Sequence, residues 1–196
     1  MRLFTTFILL LSYLNSNGQI NPTRNWVDSE VKYTDSAGNS VMITNSLPKG
    51  GGDYKYYNGK KYSYVIFWTR VKNQSATQME MAIKFPCDSL TIFKSAESHI
   101  KIFATKDTMT LEKIQLRDYG LTNLQSILDA EINQSSILKK TIDPKEDYFF
   151  YVPVFIHEAR GTARADFVIT GHDLFYKISI GSDTTLIPCG HLVFKK

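Results

Sequence analysis

The chain has 196 residues, of which 43% are hydrophobic and 21% are charged, and its formal net charge is +4. These values are typical of one globular domain and exclude a fibrous or strongly charged disordered chain. Its basic residues are scattered, with doublets only at 60–61, 139–140 and 195–196. The composition therefore argues against a nucleic-acid-binding protein, which gathers positive charge on one face.

The N-terminus has the pattern of a secretory signal peptide. Arg2 supplies a positive charge, residues 3–14 form an apolar run, and small or polar residues follow at 16–18. We expect cleavage near Gly18 and export of the mature chain to the periplasm, the cell surface or the medium. An uncleaved anchor is the alternative, although this run is shorter than the roughly 20 residues that span a bilayer. No other segment of the sequence approaches that length.

The rest of the chain is predicted to form one domain after a lead-in. Residues 19–28 are interpreted as a flexible lead-in, with Trp26 pinning the chain to the body, and residues 29–196 as a single β domain with a helical insertion. Strands are predicted at 30–34 and 40–44 around the turn residues 35–39. Glycines at 50–52 lack the Lys-Ser/Thr and the helix of a phosphate loop, so residues 47–62 are predicted to be a mobile surface loop.

The central stretch, 62–86, predicts two long strands. Apolar and polar residues alternate in each strand, and a polar turn at 73–76 separates them. A run of this kind is typical of a half-buried antiparallel hairpin. We therefore predict that the two strands pair with each other and template a sheet.

The remaining elements follow the same logic. Apolar residues at helical spacing predict an irregular turn near 110–119 and a helix near 122–133, with an apolar face that closes an open end or edge. Residues 148–157 are almost wholly aromatic or β-branched, which predicts a strand buried on both faces, and Pro153 predicts an edge position or a bulge. Further strands are predicted at 89–93, 99–105, 137–142, 163–170, 174–180, 184–188 and 192–195.

One group of residues resembles a known fold family. Val71 and Asn73 end a strand, Phe85-Pro86 ends the next, and Pro144-Lys145-Glu146 precedes a strand that begins near Tyr148. This arrangement resembles bacterial immunoglobulin-like adhesion and fibronectin-type modules, although Lys145 replaces their usual glycine. The resemblance implies a mainly β fold: a two-layer immunoglobulin-like antiparallel β-sandwich with a short helical insertion near 110–133. The family shares no catalytic residues, so the resemblance implies no site.

Motifs for catalysis are absent from the sequence. His157-Glu158 begins like a zinc-protease motif, but Gly161 stands where the second histidine is required, and no Gly-x-Ser-x-Gly elbow occurs. We therefore predict no catalytic residue, no metal site and no cofactor. The alternative is an exported hydrolase that places His157, His172 or His191 beside carboxylates in a polar pocket.

Aromatic residues supply the candidate binding site. Tyr54, Tyr56 and Tyr57 lie near Trp68, and aromatic faces bind sugars and peptides at low entropic cost. The alternative is that two of these tyrosines close the end of the sandwich. The sequence thus predicts a non-catalytic protein with a binding or structural role, and a protein or glycan partner at the cell envelope.

The two cysteines predict a disulfide. Cys87 and Cys189 each follow a proline at a strand end, and an even count in an exported chain favours pairing. Such a bond would close a loop of about 100 residues, worth about 4.7 kcal/mol in the chain-entropy model. Two separately buried thiols are the alternative.

Overall fold

The computed structural model describes residues 26–55, 59–92, 97–131 and 135–195. The predicted signal peptide, 1–18, and most of the predicted lead-in lie outside the described residues. An α-helix, α1 (Leu124–Glu131), and 3₁₀ turns at Leu111–Gln115 and Arg117–Gly120 interrupt a chain made mainly of strands. The strands are β1 (Val27–Thr34), β2 (Ser40–Ser46), β3 (Lys49–Lys55), β4 (Lys61–Asn73), β5 (Met79–Phe85), β6 (Leu90–Thr91), β7 (His99–Ile102), β8 (Ser136–Ile142), β9 (Asp147–His157), β10 (Ala163–Thr170), β11 (Asp173–Ile180) and β12 (Asp183–Phe194).

The strands form two antiparallel sheets. Sheet 1 has the order β1-β2-β4-β9-β7-β6, and β3 also pairs with β4. Sheet 2 has the order β10-β11-β12-β5-β8. The prediction of a mainly β fold built from antiparallel strands is confirmed, as is the β1–β2 hairpin around residues 35–39.

The central pair of strands is present, but the predicted hairpin is wrong. β4 lies in sheet 1 between β9 and β2, whereas β5 lies in sheet 2 between β12 and β8. Residues 74–78 therefore carry the chain from one sheet to the other. The burial patterns of β4 and β5 explain why the two strands lie in different sheets. β4 is buried on both faces over residues 66–69, while β5 alternates between buried and exposed residues and suits a sheet with one wet face.

Both sheets contribute to one hydrophobic core. Val41 and Phe67 of sheet 1 belong to the same buried cluster as Met81 and Tyr176 of sheet 2. The rings of Phe150 in β9 and Phe167 in β10 approach to 5.6 Å between centroids in an edge-to-face arrangement. Aromatic contacts of this kind across the two sheets fix their separation.

A second apolar cluster lies on the opposite, outer face of sheet 1. Ile66 and Trp68 of β4 and Tyr151 of β9 point into it, and residues 109–127 cover them. The helical segment therefore covers a sheet face, and the prediction that it closes an end or edge is wrong. Burial on both faces at the middle of the predicted strand 148–157 is confirmed, since residues 150–156 are all buried and residues 109–127 cover the outer face.

Pro153 lies in the interior of sheet 1, which contradicts the predicted edge position. β9 pairs with β4 on one side and β7 on the other. The proline is tolerated because its carbonyl accepts a hydrogen bond from Phe103 N at 3.1 Å, one residue past the end of β7. Main-chain pairing with β9 resumes at Thr105, whose N–H donates to the Tyr151 carbonyl at 3.3 Å, so the N–H that proline lacks removes only one local hydrogen bond.

Residues 49–55 form a strand and not the predicted mobile loop. β3 continues the line of β2 along the same edge of β4, after a break at Leu47-Pro48. The ring of Tyr64 lies against the backbone of β3, and a Cβ on Gly52 would come within 2.7 Å of that ring. Gly50 and Gly52 therefore allow close packing of the Tyr64 ring on the main chain of β3. Residues 56–58 lie outside the described residues.

The predicted bridge between Cys87 and Cys189 is corrected by the structure, in which both are free cysteines. Cys87 is exposed just after β5, whereas Cys189 is buried in β12 and its Sγ donates to the Leu174 carbonyl at 3.4 Å. The two thiols thus occupy different environments, one in solvent and one in the core. Burial raises the pKa of the Cys189 thiol to about 12.

Thiol labelling should separate the two cysteines. At pH 8 the native protein is expected to react at one thiol, Cys87, and the denatured protein at two, because the thiolate is the reactive form and Cys189 stays protonated and buried. The Cys87→Ser variant should show no native reaction. Two unreactive cysteines in denaturant without reductant would instead indicate the disulfide.

Candidate ligand-binding cleft

Two residues of the predicted aromatic platform, Trp68 and Tyr54, are buried. Trp68 is 2% exposed and Tyr54 is 6% exposed, and the ring of Tyr119 packs edge-on against Trp68. The hydroxyl of Tyr54 donates to the carboxylate of Asp129. Neither side chain therefore offers a free ring face. Tyr56 and Tyr57 lie outside the described residues, and their role stays a prediction.

A cleft of about 590 Å³ opens on the outer side of sheet 1, between β3 and the 3₁₀ turns. A second depression of about 380 Å³ adjoins it and shares three of its residues. The two together offer aromatic, acidic, basic and amide side chains. The larger one is lined by Trp26, Pro48, Lys49, Gly50, Gly51, Gly52, Tyr64, Gln115, Leu116, Arg117 and Asp118. The smaller one shares Tyr64, Arg117 and Asp118 and adds Asp53, Tyr54, Leu121, Thr122, Leu124 and Gln125.

Asp118 lies where the two depressions meet. Its Oδ2 accepts a hydrogen bond from the Tyr64 hydroxyl at 3.2 Å and lies 3.7 Å from Arg117 Nε. Burial, with the Asp118 charge as a smaller cause, raises the pKa of Tyr64, so its hydroxyl keeps its proton. The Arg117 side chain is 90% exposed. A ligand at this point would meet a fixed carboxylate and a solvent-facing guanidinium.

The backbone at Asp118 and Tyr119 is strained. Both residues adopt the left-handed conformation, with φ of 52° and 54°. For a residue with a Cβ, this conformation costs about 1 kcal/mol or more of folding free energy. Tyr119 is fully buried; its hydroxyl donates to the Leu47 carbonyl at 2.6 Å, and its own carbonyl accepts from the Tyr151 hydroxyl at 2.8 Å. These contacts hold the strained turn in place and fix the direction of the Asp118 carboxylate.

Lys49 and Trp26 join β3 to the 3₁₀ segment. The Lys49 ammonium donates to the carbonyls of Ile114 and Leu116 at 2.5 and 2.8 Å and lies 4.0 Å from the centre of the Trp26 ring. Burial lowers the pKa of Lys49, and the nearby Asp118 partly offsets that effect. Trp26 Nε1 donates to Gln115 Oε1 at 3.2 Å, which confirms the predicted contact of Trp26 with the rest of the domain.

The histidines of the predicted hydrolase pocket lie in both sheets, and only His172 and His191 are neighbours, since Asp173 pairs with His191 and the His172 carbonyl accepts from Leu192 N at 2.9 Å. His157 ends β9 in sheet 1, whereas His191 lies in β12 of sheet 2 and His172 in the turn before β11. Across residues 26–55, 59–92, 97–131 and 135–195, no group of three or more His, Cys, Asp or Glu side chains is placed to hold a metal ion. The hydrolase alternative stays a prediction.

Comparison with known proteins adds no assignment. A scan of protein-family models found none that matches this chain, and a search of curated protein sequences found no match. Within the described part of the chain, no helix is both long and apolar enough to cross a bilayer.

The sequence did not predict the cleft because its residues come from four separate segments, one of which is residues 48–52 at β3. Trp26 precedes β1, Tyr64 lies in β4, and Arg117 and Asp118 lie in the 3₁₀ segment. One signal was available. Residues 50–52 are three successive glycines, and the strand that follows them has alternating aromatic residues. A glycine backbone has no side chain in the way, so an aromatic ring of that strand can pack directly against it.

Proposed function

We propose that this chain is an exported, non-catalytic binding protein and that its ligand is a glycan held in the cleft beside β3. The single observation that carries the proposal is the meeting of an aromatic ring, a fixed carboxylate and an exposed guanidinium at Tyr64, Asp118 and Arg117. Sugars present apolar C–H faces and many hydroxyl groups, and this set of side chains offers partners for both.

The shape of the cleft supports a glycan over a folded protein partner. The site is a depression of several hundred cubic ångströms, whereas stable protein interfaces bury about 800 Å² on each side and are built around a broad apolar patch. Amide groups on Gln115 and Gln125 line the two depressions and suit hydroxyl recognition. A protein partner at the cell envelope is the second candidate. A glycan array and capture from an envelope extract distinguish the two candidates.

We also propose that the two sheets form a β-sandwich and that the chain is exported. Support for the sandwich comes from the core shared by both sheets. Support for export comes from the signal-peptide pattern of residues 1–18. The immunoglobulin-like connectivity implied by the resemblance stays a prediction.

Glycan binding should depend on Arg117. Screening residues 19–196 on a glycan array, followed by calorimetry with the best ligand, is expected to show at least about a tenfold loss of affinity in Arg117→Ala, since hydrogen bonds to a charged group contribute about 1.5–3 kcal/mol. Arg117 is suited to this test because its exposed side chain contributes little to folding. Lys84→Ala removes an exposed positive charge from sheet 2 and should leave the affinity unchanged.

Two outcomes would contradict the proposal. Binding that falls equally in Arg117→Ala and Lys84→Ala would indicate a non-specific charge effect. An array with no bound glycan, together with capture of one protein from an envelope extract, would favour the protein-binding alternative. Tyr64→Phe provides a finer test, because it keeps the ring and removes only the hydroxyl that donates to Asp118.

A further inference from the structure

Two histidines face each other on neighbouring strands of sheet 1, away from the cleft lining. His99 of β7 is the direct register partner of His157 of β9. Their ring centroids are 4.6 Å apart, with the ring planes inclined at 42°, and both side chains are half-buried. The buried ring of Tyr62 lies beside them, 5.2 Å from His157 and 6.2 Å from His99 between centroids. The position of both imidazoles is therefore set by the sheet.

Hydrogen bonds to the main chain orient the two imidazoles. His157 Nδ1 lies 2.7 Å from the Lys61 carbonyl oxygen, which can only accept, so Nδ1 carries a proton and Nε2 is the nitrogen left to bind a metal ion. The His99 ring makes a hydrogen bond with the backbone of Glu97. A histidine that binds a metal ion nearly always donates its other ring N–H to a carbonyl or carboxylate in this way.

The electrostatic surroundings favour neutral imidazole at His99. Burial, followed by the neighbouring His157 and then Lys60, lowers the pKa of His99. A neutral ring has a lone pair that a metal ion can share, whereas a protonated ring has none. Neutral His99 therefore holds a nitrogen lone pair beside the ring of His157, 4.6 Å away between centroids.

We propose that His99 and His157 form a two-histidine site for a borderline divalent transition-metal ion, Zn²⁺ or Cu²⁺, with water completing the coordination. Imidazole nitrogens bind such ions at about 2.0–2.1 Å, so the two nitrogens must come within about 4 Å of each other. The two rings lie on directly paired residues with centroids 4.6 Å apart, and binding requires side-chain rotation that aims one nitrogen of each ring at the ion. Within the described chain no third His, Cys, Asp or Glu ligand joins them, so water would supply the remaining ligands.

The test uses residues 19–196 without a histidine tag and with Cys87→Ser, because the exposed thiol would bind the same ions. Titration with Cu²⁺ is expected to show one ion per chain. His99→Gln and His157→Gln should each lower the affinity at least about tenfold, since each removes one of two ligands. His172→Gln and His191→Gln are matched controls at the other two histidines and should leave the affinity unchanged.

A spectroscopic measurement on the unaltered histidines keeps the test independent of variant folding. The electron paramagnetic resonance spectrum of the Cu²⁺-loaded protein is expected to show coupling to two imidazole nitrogens, and binding should weaken as the pH falls and the rings protonate. Coupling to fewer than two imidazoles would overturn the proposal. So would affinity that survives His99→Gln and His157→Gln, or that is lost in His172→Gln or His191→Gln.

Discussion

Replacing Gly190 with alanine is expected to destabilise the fold by about 4 kcal/mol or more, because the added methyl group has no space. Gly190 sits at a bulge of β12 between β11 and β5, with a φ of 152°. A Cβ at this position would lie 1.9 Å from the Ala82 carbonyl oxygen in β5. That neighbour is main chain in the middle of sheet 2, so relief requires two paired strands to separate.

Gly171→Ala is the matched control for this prediction. Gly171 has a φ of 63° in the turn between β10 and β11, and an added Cβ would meet nothing within 4 Å. Gly171→Ala should therefore lower the free energy of unfolding only by the penalty of a left-handed backbone, about 1–2 kcal/mol. Urea denaturation followed by fluorescence measures both free energies of unfolding. Equal losses in the two variants would show that the backbone conformation, and not the contact with Ala82, makes glycine necessary at 190.

Asn73→Ala is expected to lower the free energy of unfolding by about 3 kcal/mol, which is the second large effect expected for this chain. Asn73 is fully buried where the chain leaves β4 for sheet 2. Its amide Nδ2 donates to the carbonyls of Thr77, Ile142 and Asp143 at 2.8, 3.1 and 3.2 Å, and its Oδ1 accepts from Ser75 N at 3.0 Å. Alanine would leave buried carbonyl oxygens and an N–H without partners, and each such group costs about 1–3 kcal/mol.

Two graded variants separate the donor and acceptor roles of this amide. Asn73→Asp keeps the acceptor for Ser75 but turns a second oxygen toward the three carbonyls, so it should be destabilised at least as much as Asn73→Ala. Ser75→Ala removes only the hydroxyl that donates to Asn73 Oδ1 and should cost about 1 kcal/mol. Chemical denaturation measures all three. A larger loss in Ser75→Ala than in Asn73→Asp would mean that the local turn, and not the tie to residues 142–143, stabilises the crossing.

The strained turn beside the cleft gives the candidate site a physical basis. Left-handed conformations at Asp118 and Tyr119 oppose folding, and the burial of Tyr119 with its two hydrogen bonds offsets that cost. The same contacts aim Asp118 at Tyr64. A preorganised carboxylate of this kind costs a ligand less conformational entropy on binding than a freely rotating one.

Local sequence determined much of the secondary structure. Asp35 accepts hydrogen bonds from the main chain of Ala37 and Asn39, and Gly38 adopts a φ of 85°, so the first hairpin turn follows from residues that are neighbours in the chain. Alternation of apolar and polar residues likewise located β4 and β5. The change to helical spacing located the segment that contains α1.

Tertiary structure decided which elements meet. Alternation shows that a strand has a buried face but not what covers it, so β4 and β5 were expected to pair and instead lie in different sheets. Trp68 was expected to be available to ligand, but residues 109–127 cover it. Cys87 and Cys189 were expected to pair, yet one lies in solvent and the other in the core. The cleft and the His99–His157 pair also depend on partners distant in sequence, because a side chain's surroundings are set by whichever segments fold against it.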